Sequence, residues 1–388
     1  MRLVIIYLFT FLTACGTHAS DGEIIVGAKQ ANEYLHLLKD KRVALVVNQT
    51  SVVDSEHLVD FFIREHVNIQ TIFAPEHGFR GDAGAGEKIS DSKDAKTGIP
   101  IISIYGKHRK PLKEDLKDID IVVFDIQDVG CRFYTYISTM HLVMESCAEN
   151  DVPFLVLDRP NPHGDKVDGP VRKDGFESFV GLDPIPILHG CTVGELALMI
   201  NDQGWLKDAV KCELNVVSVK NYTHNDRYSL PIKPSPNLPN DVAVDLYPSL
   251  CFFEATSVSV GRGTDFPFQV LGCPDSTKGE FQFTPRSLPH AAPNPLHKEK
   301  LCFGEDLRRV KAPEKFVLAY FMNWYDKFEN EKDFLTREKW FNLLAGTDKL
   351  LEQIRAGMSE EDIRKSWEKE LDTYKEMRKK YLLYPDFE

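Results

Sequence analysis

An α/β fold, in which a parallel sheet with helices on both faces is followed by a smaller α+β C-terminal domain, is predicted by three features of the sequence. Short, nearly continuous apolar runs alternate with helix-period segments through the first half, each run ends in a polar cluster, and the texture changes at a proline-rich stretch near residue 230. Strands apolar on both sides and separated by helices form parallel sheets, because the crossover helices cover both faces.

RVALVVNQT (Arg42 to Thr50), TIFAPE, IPIISIYG, DIVVFDIQD and PFLVLDRPN each read as a strand running into a polar end. The segment from Ser55 to His66 carries Leu58, Phe61 and Phe62 at helical spacing, and the one from Tyr136 to Asn150 carries Ile137, Met140, Met144 and Cys147 on one stripe. Residues 22–230 therefore read as a Rossmann-like domain. At Thr192, TVGE spells a capping box: the Thr192 hydroxyl and the Glu195 carboxylate each satisfy an orphan backbone N–H, which makes Glu195 a cap rather than a catalyst. Pro231, Pro234, Pro236 and Pro239 interrupt regular structure and predict an extended crossing segment. In the remaining chain, residues 231–388, helices are expected near Glu314 to Glu329, Arg337 to Leu344, Thr347 to Ala356 and Ser359 to Lys380.

Composition narrows the function. With 43% hydrophobic and 27% charged residues the 388-residue chain is an ordinary folded body. Its net charge of -12 repels phosphate backbones, so no nucleic-acid partner is expected. Residues 1–15 read as a secretory signal: Met1-Arg2 precedes an apolar run from Leu3 to Leu12 that is too short to span a bilayer, and a linker follows at 16–21. LTAC followed by Gly16 resembles a bacterial lipobox, so Cys15 is expected to be acylated and to tether the protein to a membrane surface. The seven other cysteines form no C-x-x-C pair and no zinc spacing, and read as small buried residues. Neither a metal nor a cofactor is expected.

In open parallel sheets ligands bind at the carboxyl ends of strands. Five polar clusters fall there: Asn48-Gln49-Thr50, PEHGFRG, Tyr105-Gly106, Asp125-Ile126-Gln127-Asp128 and Asp158-Arg159-Pro160-Asn161. One such loop would be turn chemistry, but five on one rim indicate a site. Glu76 is the foremost catalytic candidate, since the neighbouring Phe73 and Phe79 supply an apolar setting that favours the proton-donating form of a carboxyl; the competing reading pairs it with Arg80. His77 is a candidate base or hydroxyl-orienting group, and Asp125 and Asp128 are candidate catalytic carboxylates that could equally serve turns. Asn48, Gln127, Arg132, Tyr134, Asp158, Arg159 and Asn161 are candidate substrate-binding residues, joined by Glu254, Arg262 and Thr264 around the GRGT turn. Aromatic rings stack on sugar faces while amides and carboxylates fix hydroxyls, so these are the materials of a sugar site. Arg80, Arg132, Arg159 and Arg262, in a chain this acidic, point to a substrate carboxylate. GRGT lacks the Lys and length of a phosphate loop, and GDAGAGE follows a polar loop rather than leading from a strand into a helix.

NQT, FAPEHGFRG, TGIPIISIYG, DIQDVGCRFYTY, LDRPNPHG, DGPV, HGCTVGELA, PSPNLP, YPSLCFFEATSVSVGRGT and PF, in this order, resemble the exo-β-N-acetylmuramidases, glycoside hydrolase family 171, formerly a domain of unknown function. The resemblance covers nearly all of the mature chain. It implies release of terminal, non-reducing β-1,4-linked N-acetylmuramic acid from peptidoglycan fragments, with a cleft between a Rossmann-like and a smaller C-terminal domain. Glu76, in the matching PEHG motif, inherits the role of catalytic glutamate. His163 in PNPHG and Cys191 in HGCT depart from the family's usual residues and bear on substrate tuning. The lactyl carboxylate of N-acetylmuramic acid would account for the arginines. The implied partners are muropeptides or N-acetylmuramyl-N-acetylglucosamine, met by an exported, lipid-anchored enzyme facing the periplasm of a Gram-negative bacterium. The second catalytic group stays open among Asp125, Asp128, Glu254 and the substrate's own acetamido oxygen. Two other readings are a non-catalytic, muropeptide-binding surface lipoprotein and, disfavoured by the missing phosphate loop, a nucleotide-sugar transferase.

Overall fold

The computed structural model describes residues 22–76, 78–79, 91–106 and 108–388. The expectations placed on Cys15, His77 and Arg80, and on the signal and linker before residue 22, fall outside them. Seven strands form the main sheet: β1 (Arg42–Val47), β2 (Asn68–Ala74), β3 (Ser92–Lys93), β4 (Pro100–Ser103), β5 (Ile121–Asp125), β6 (Phe154–Leu157) and β7 (Leu214–Val217). They run in the order β7-β6-β5-β1-β2-β4-β3, all parallel except β3, which pairs antiparallel with β4. All five strands expected from the apolar runs occupy the middle of this sheet. The two unforeseen strands are its edges, where β7 carries an exposed Asn215 and so lacks the continuous apolar run of a central strand.

Alternate residues of each strand feed two separate cores. Ala44, Val46, Val122, Phe124, Phe154 and Val156 face one side, with Leu116 of helix α3 (Lys113–Leu116), Met140 and Met144 of α4 (Tyr136–Glu149) and Leu196 and Ile200 of α5 (Val193–Gln203). Val43, Leu45, Val47, Val123, Leu155 and Leu157 face the other, with Tyr34 and Leu38 of α1 (Ala31–Leu38) and Phe61 and Phe62 of α2 (Leu58–Arg64). Each such side chain, fully buried, contributes about 1.5–3 kcal/mol. The first core continues without a break into the C-terminal part through Phe252, Phe253, Phe321, Trp324 and Phe341. That part holds a three-stranded antiparallel sheet, β8 (Val270–Cys273), β9 (Phe281–Phe283) and β10 (Cys302–Asp306) in the order β8-β10-β9, together with short helices.

Three of the four expected C-terminal helices form as Ala319–Asp326, Glu338–Ala345 and Lys349–Arg355. The fourth, expected as one helix from Ser359 to Lys380, is two: Glu360–Lys365 and Glu368–Arg378. The break has a local cause. The Ser366 backbone N–H and hydroxyl both donate to the Ile363 carbonyl, the hydroxyl at 2.6 Å, and the next N–H turns back to Arg364 only three residues away. The Thr192 capping box forms as read, with Thr192 Oγ1 accepting from the Glu195 N–H at 3.2 Å and the Glu195 carboxylate from the Thr192 N–H at 2.9 Å. The seven cysteines in the described residues are free and buried. No helix among these residues is long and apolar enough to cross a membrane.

Candidate active site

The chain leaves β1 toward β2 on one side and returns to β5 on the other, so the strand order reverses between β1 and β5. In a doubly wound sheet that crevice is where a ligand is expected. Here protein side chains fill it. Arg159 clasps Asp125 through two N–H donors, at 2.5 and 2.9 Å, and neither side chain is more than 3% exposed. Asn48 Oδ1 accepts from the backbone and hydroxyl of Thr50, whose Oγ1 in turn accepts from the Gln127 N–H; Gln127 Nε2 donates to the Asp128 and Pro160 carbonyls. Ser51 donates to the Asp125 carbonyl. Asp158 accepts from Gly194 N–H at 2.8 Å, Thr192 hydroxyl at 2.7 Å and Tyr384 hydroxyl at 2.5 Å, and anchors the start of α5. Asn161 Nδ2 donates to the Cys191 carbonyl at 2.9 Å and packs so tightly on Gly130 that a Cβ there would meet Asn161 Oδ1 at 1.9 Å.

Most of the sequence-nominated polar residues are therefore buried in a polar layer at the strand ends and do not line the cleft described below. Arg132, fully buried, donates to the carbonyls of Pro170, Ile185 and Leu344 and so ties the sheet loops to the C-terminal part. His163 and Cys191 are each 1% exposed; His163 Nδ1 sits 2.7 Å from the Val129 carbonyl, and Cys191 Sγ 3.5 Å from the Tyr374 hydroxyl. Neither lines the cleft described below.

Burial also sets the charge state of this layer. Asp128, with one oxygen accepting from the Gly130 N–H at 2.7 Å, is pushed up to about 7 by desolvation, and His163 and His189 are pushed down to about 3 by the same cause. A carboxyl raised on folding stabilises the native state below its unfolded value and loses that contribution as pH rises through about 7. Asp128→Asn is expected to raise the thermal midpoint at pH 8 and to change it less at pH 5, as scanning calorimetry at the two pH values would show.

The open space lies to one side, between the carboxyl end of β2 and the C-terminal part: a cleft of about 1170 Å³. Of the nominated residues, Glu76, Tyr134, Glu254 and Arg262 line it. β2 ends at Ala74, and the turn at Pro75 brings Glu76 to the wall, where Tyr105 hydroxyl donates to Oε1 at 2.9 Å and Thr135 hydroxyl to Oε2 at 2.7 Å. Two donors on two oxygens fix the carboxyl plane. From the opposite side Arg262 donates through Nε and Nη2 to Glu254 Oε1, at 3.1 and 2.5 Å, and stacks its guanidinium 5.1 Å from the Phe268 ring centroid. Gly261 and Gly263 adopt φ of 82° and 83°, the left-handed region that only glycine enters freely. Thr264 closes that turn, its hydroxyl donating to the Gly261 carbonyl at 2.6 Å, and does not line the cleft.

Sequence reasoning passed over Thr135, although it sits inside the FYTY word, and gave no role to Arg109, Phe179, Arg337 or Trp340, all of which line the cleft. Arg109 had a signal, since it follows the IPIISIYG strand by a few residues; Arg337 and Trp340 come from a C-terminal helix whose periodicity marks only its buried face. Among the described residues no group of three or more His, Cys, Asp or Glu could hold a metal ion.

Comparison with known proteins agrees with this architecture. The family descriptions "Exo-beta-N-acetylmuramidase NamZ, N-terminal" and "C-terminal" match residues 43–242 and 245–384. The peptidoglycan β-N-acetylmuramidase NamZ of Bacillus subtilis (strain 168) is 40% identical over 375 residues, covering 91% of this chain and 89% of that protein. Crystal structures of two DUF1343 family proteins from Bacteroides fragilis NCTC 9343 superpose with TM-scores of 0.87 and 0.80, at 45% and 31% identity; they cover 94% and 93% of this chain and 100% and 99% of their own. With both of its parts matched and its fold shared throughout, the chain belongs to the exo-β-N-acetylmuramidase family of glycoside hydrolases.

Proposed function

We propose that this enzyme removes N-acetylmuramic acid from the non-reducing ends of peptidoglycan fragments, with Glu76 protonating the glycosidic oxygen as general acid. The observation that carries the reading is the Glu76 carboxyl, held by the Tyr105 and Thr135 hydroxyls at the wall of a cleft that also presents aromatic rings and guanidinium groups. A carboxyl fixed in this way can meet a glycosidic oxygen without reorganising, and the rings offer stacking surface to sugar faces. Among the nominated second groups, Asp125 and Asp128 are buried and do not line the cleft, which favours Glu254 or the substrate's acetamido oxygen. The anomer released first, read by proton NMR, separates retention from inversion. The lipobox at Cys15 supports export and tethering of the enzyme to a membrane, where muropeptides would reach it.

Incubation with N-acetylmuramyl-N-acetylglucosamine is the direct test. Release of N-acetylmuramic acid is expected, whereas tight binding without cleavage would replace the hydrolase with a muropeptide-binding lipoprotein. Tyr105→Phe is expected to reduce kcat about tenfold, the worth of one positioning hydrogen bond, with little change in thermal midpoint. An unchanged rate would remove Tyr105 from the positioning of Glu76.

A further inference from the structure

We propose that Arg109 selects the muramic acid moiety by holding its lactyl carboxylate beside Glu76, an inference that rests on the function proposed above. The arginines nominated from sequence are engaged elsewhere where they are described: Arg132 by three carbonyls, Arg159 by Asp125 and Arg262 by Glu254. Arg109 is exposed on the cleft wall and, among the described residues, makes no ion pair with a carboxylate. Its guanidinium carbon lies 4.7 Å from the centroid of the Phe179 ring, and that ring lies 5.9 Å from Tyr105, the residue whose hydroxyl holds Glu76. Guanidinium, ring, phenol and carboxyl therefore form one continuous wall.

The chemistry of the sugar matches this order. The lactyl ether stands on C3, two carbons from the anomeric centre, so a muramic acid whose glycosidic oxygen faces Glu76 brings its lactyl carboxylate to the same wall. A carboxylate that gives up water for the cleft needs a cation to offset its lost hydration. Stacking on Phe179, which is 8% exposed, steadies the guanidinium through its face and leaves its N–H donors for a bidentate carboxylate. Arg337 is the rival cation: it lies over Trp340 at 5.2 Å and donates to the Glu254 carbonyl at 3.5 Å, on the C-terminal side of the cleft.

The test compares kcat/KM of the wild type, Arg109→Ala, Arg109→Lys and Arg337→Ala on a nitrophenyl β-N-acetylmuraminide and on the same compound with its lactyl carboxyl converted to the methylamide. Wild type should prefer the acid, and Arg109→Ala should lose about 10- to 100-fold on the acid while changing little on the amide, the range of a charge-assisted pair. Arg109→Lys should fall between, and Arg337→Ala should keep the preference for the acid. Equal cleavage of acid and amide by wild type, an equal loss on both substrates in Arg109→Ala, or transfer of the effect to Arg337→Ala would each overturn the assignment. A wild type that cleaves neither compound would sink the hydrolase reading itself and this inference with it.

Discussion

Glu76→Gln is expected to lower kcat on a muramic acid glycoside by about a hundredfold to ten-thousandfold, the usual contribution of a positioned general acid. KM should move little, because the amide keeps the shape: its oxygen can accept from one of the Tyr105 and Thr135 hydroxyls and its NH2 can donate to the oxygen of the other. The thermal midpoint should also stay close to wild type, since Glu76 is only partly buried and belongs to a loop at a strand end. A substrate with a good leaving group needs less protonation in its transition state, so the loss should be smaller on a nitrophenyl glycoside than on the natural disaccharide. Equal losses on both, or none, would move the acid to another residue lining the cleft.

Arg159→Met carries the largest expected effect on stability. It leaves the fully buried Asp125 carboxylate without its two guanidinium donors, and breaking one side of a buried pair costs about 3–5 kcal/mol. The effect should appear as a lower denaturant midpoint, and adding Asp125→Asn should recover part of it, because the second change removes the stranded charge. Isothermal titration with N-acetylmuramic acid gives the opposing outcome: a variant that folds with wild-type stability but has lost sugar affinity would return Arg159 to the binding surface.

These two residues illustrate how far the sequence reached. Both stand in polar words at the ends of apolar strands, and both are site candidates by local pattern, Glu76 as the catalyst and Arg159 as a ligand for substrate. Glu76 follows β2, beyond which the wall opens into the cleft, whereas Asp125 ends β5 and Arg159 follows β6, strands adjacent in the sheet; the two residues, only 34 apart in sequence, close on each other. Arg132 was read as a ligand for an anion, yet one of its acceptors is the Leu344 carbonyl, 212 residues away. No local pattern contains such a partner.

What the sequence determined by itself was the parallel sheet, the faces of its strands, the α5 cap and the family's words, because each depends on residues close together in the chain: periodicity sets the buried face and turn chemistry sets the ends. Only the tertiary structure decided which polar residues meet substrate space and which meet each other. A buried polar group must find a partner, and the pairs Asp125 with Arg159, Asp158 with Tyr384 and Arg132 with Leu344 take up four of the nominated residues. The groups left at the cleft, Glu76 with Tyr105 and Thr135, Glu254 with Arg262, and the exposed Arg109, are those that the packing of the C-terminal part against the sheet leaves at an open boundary.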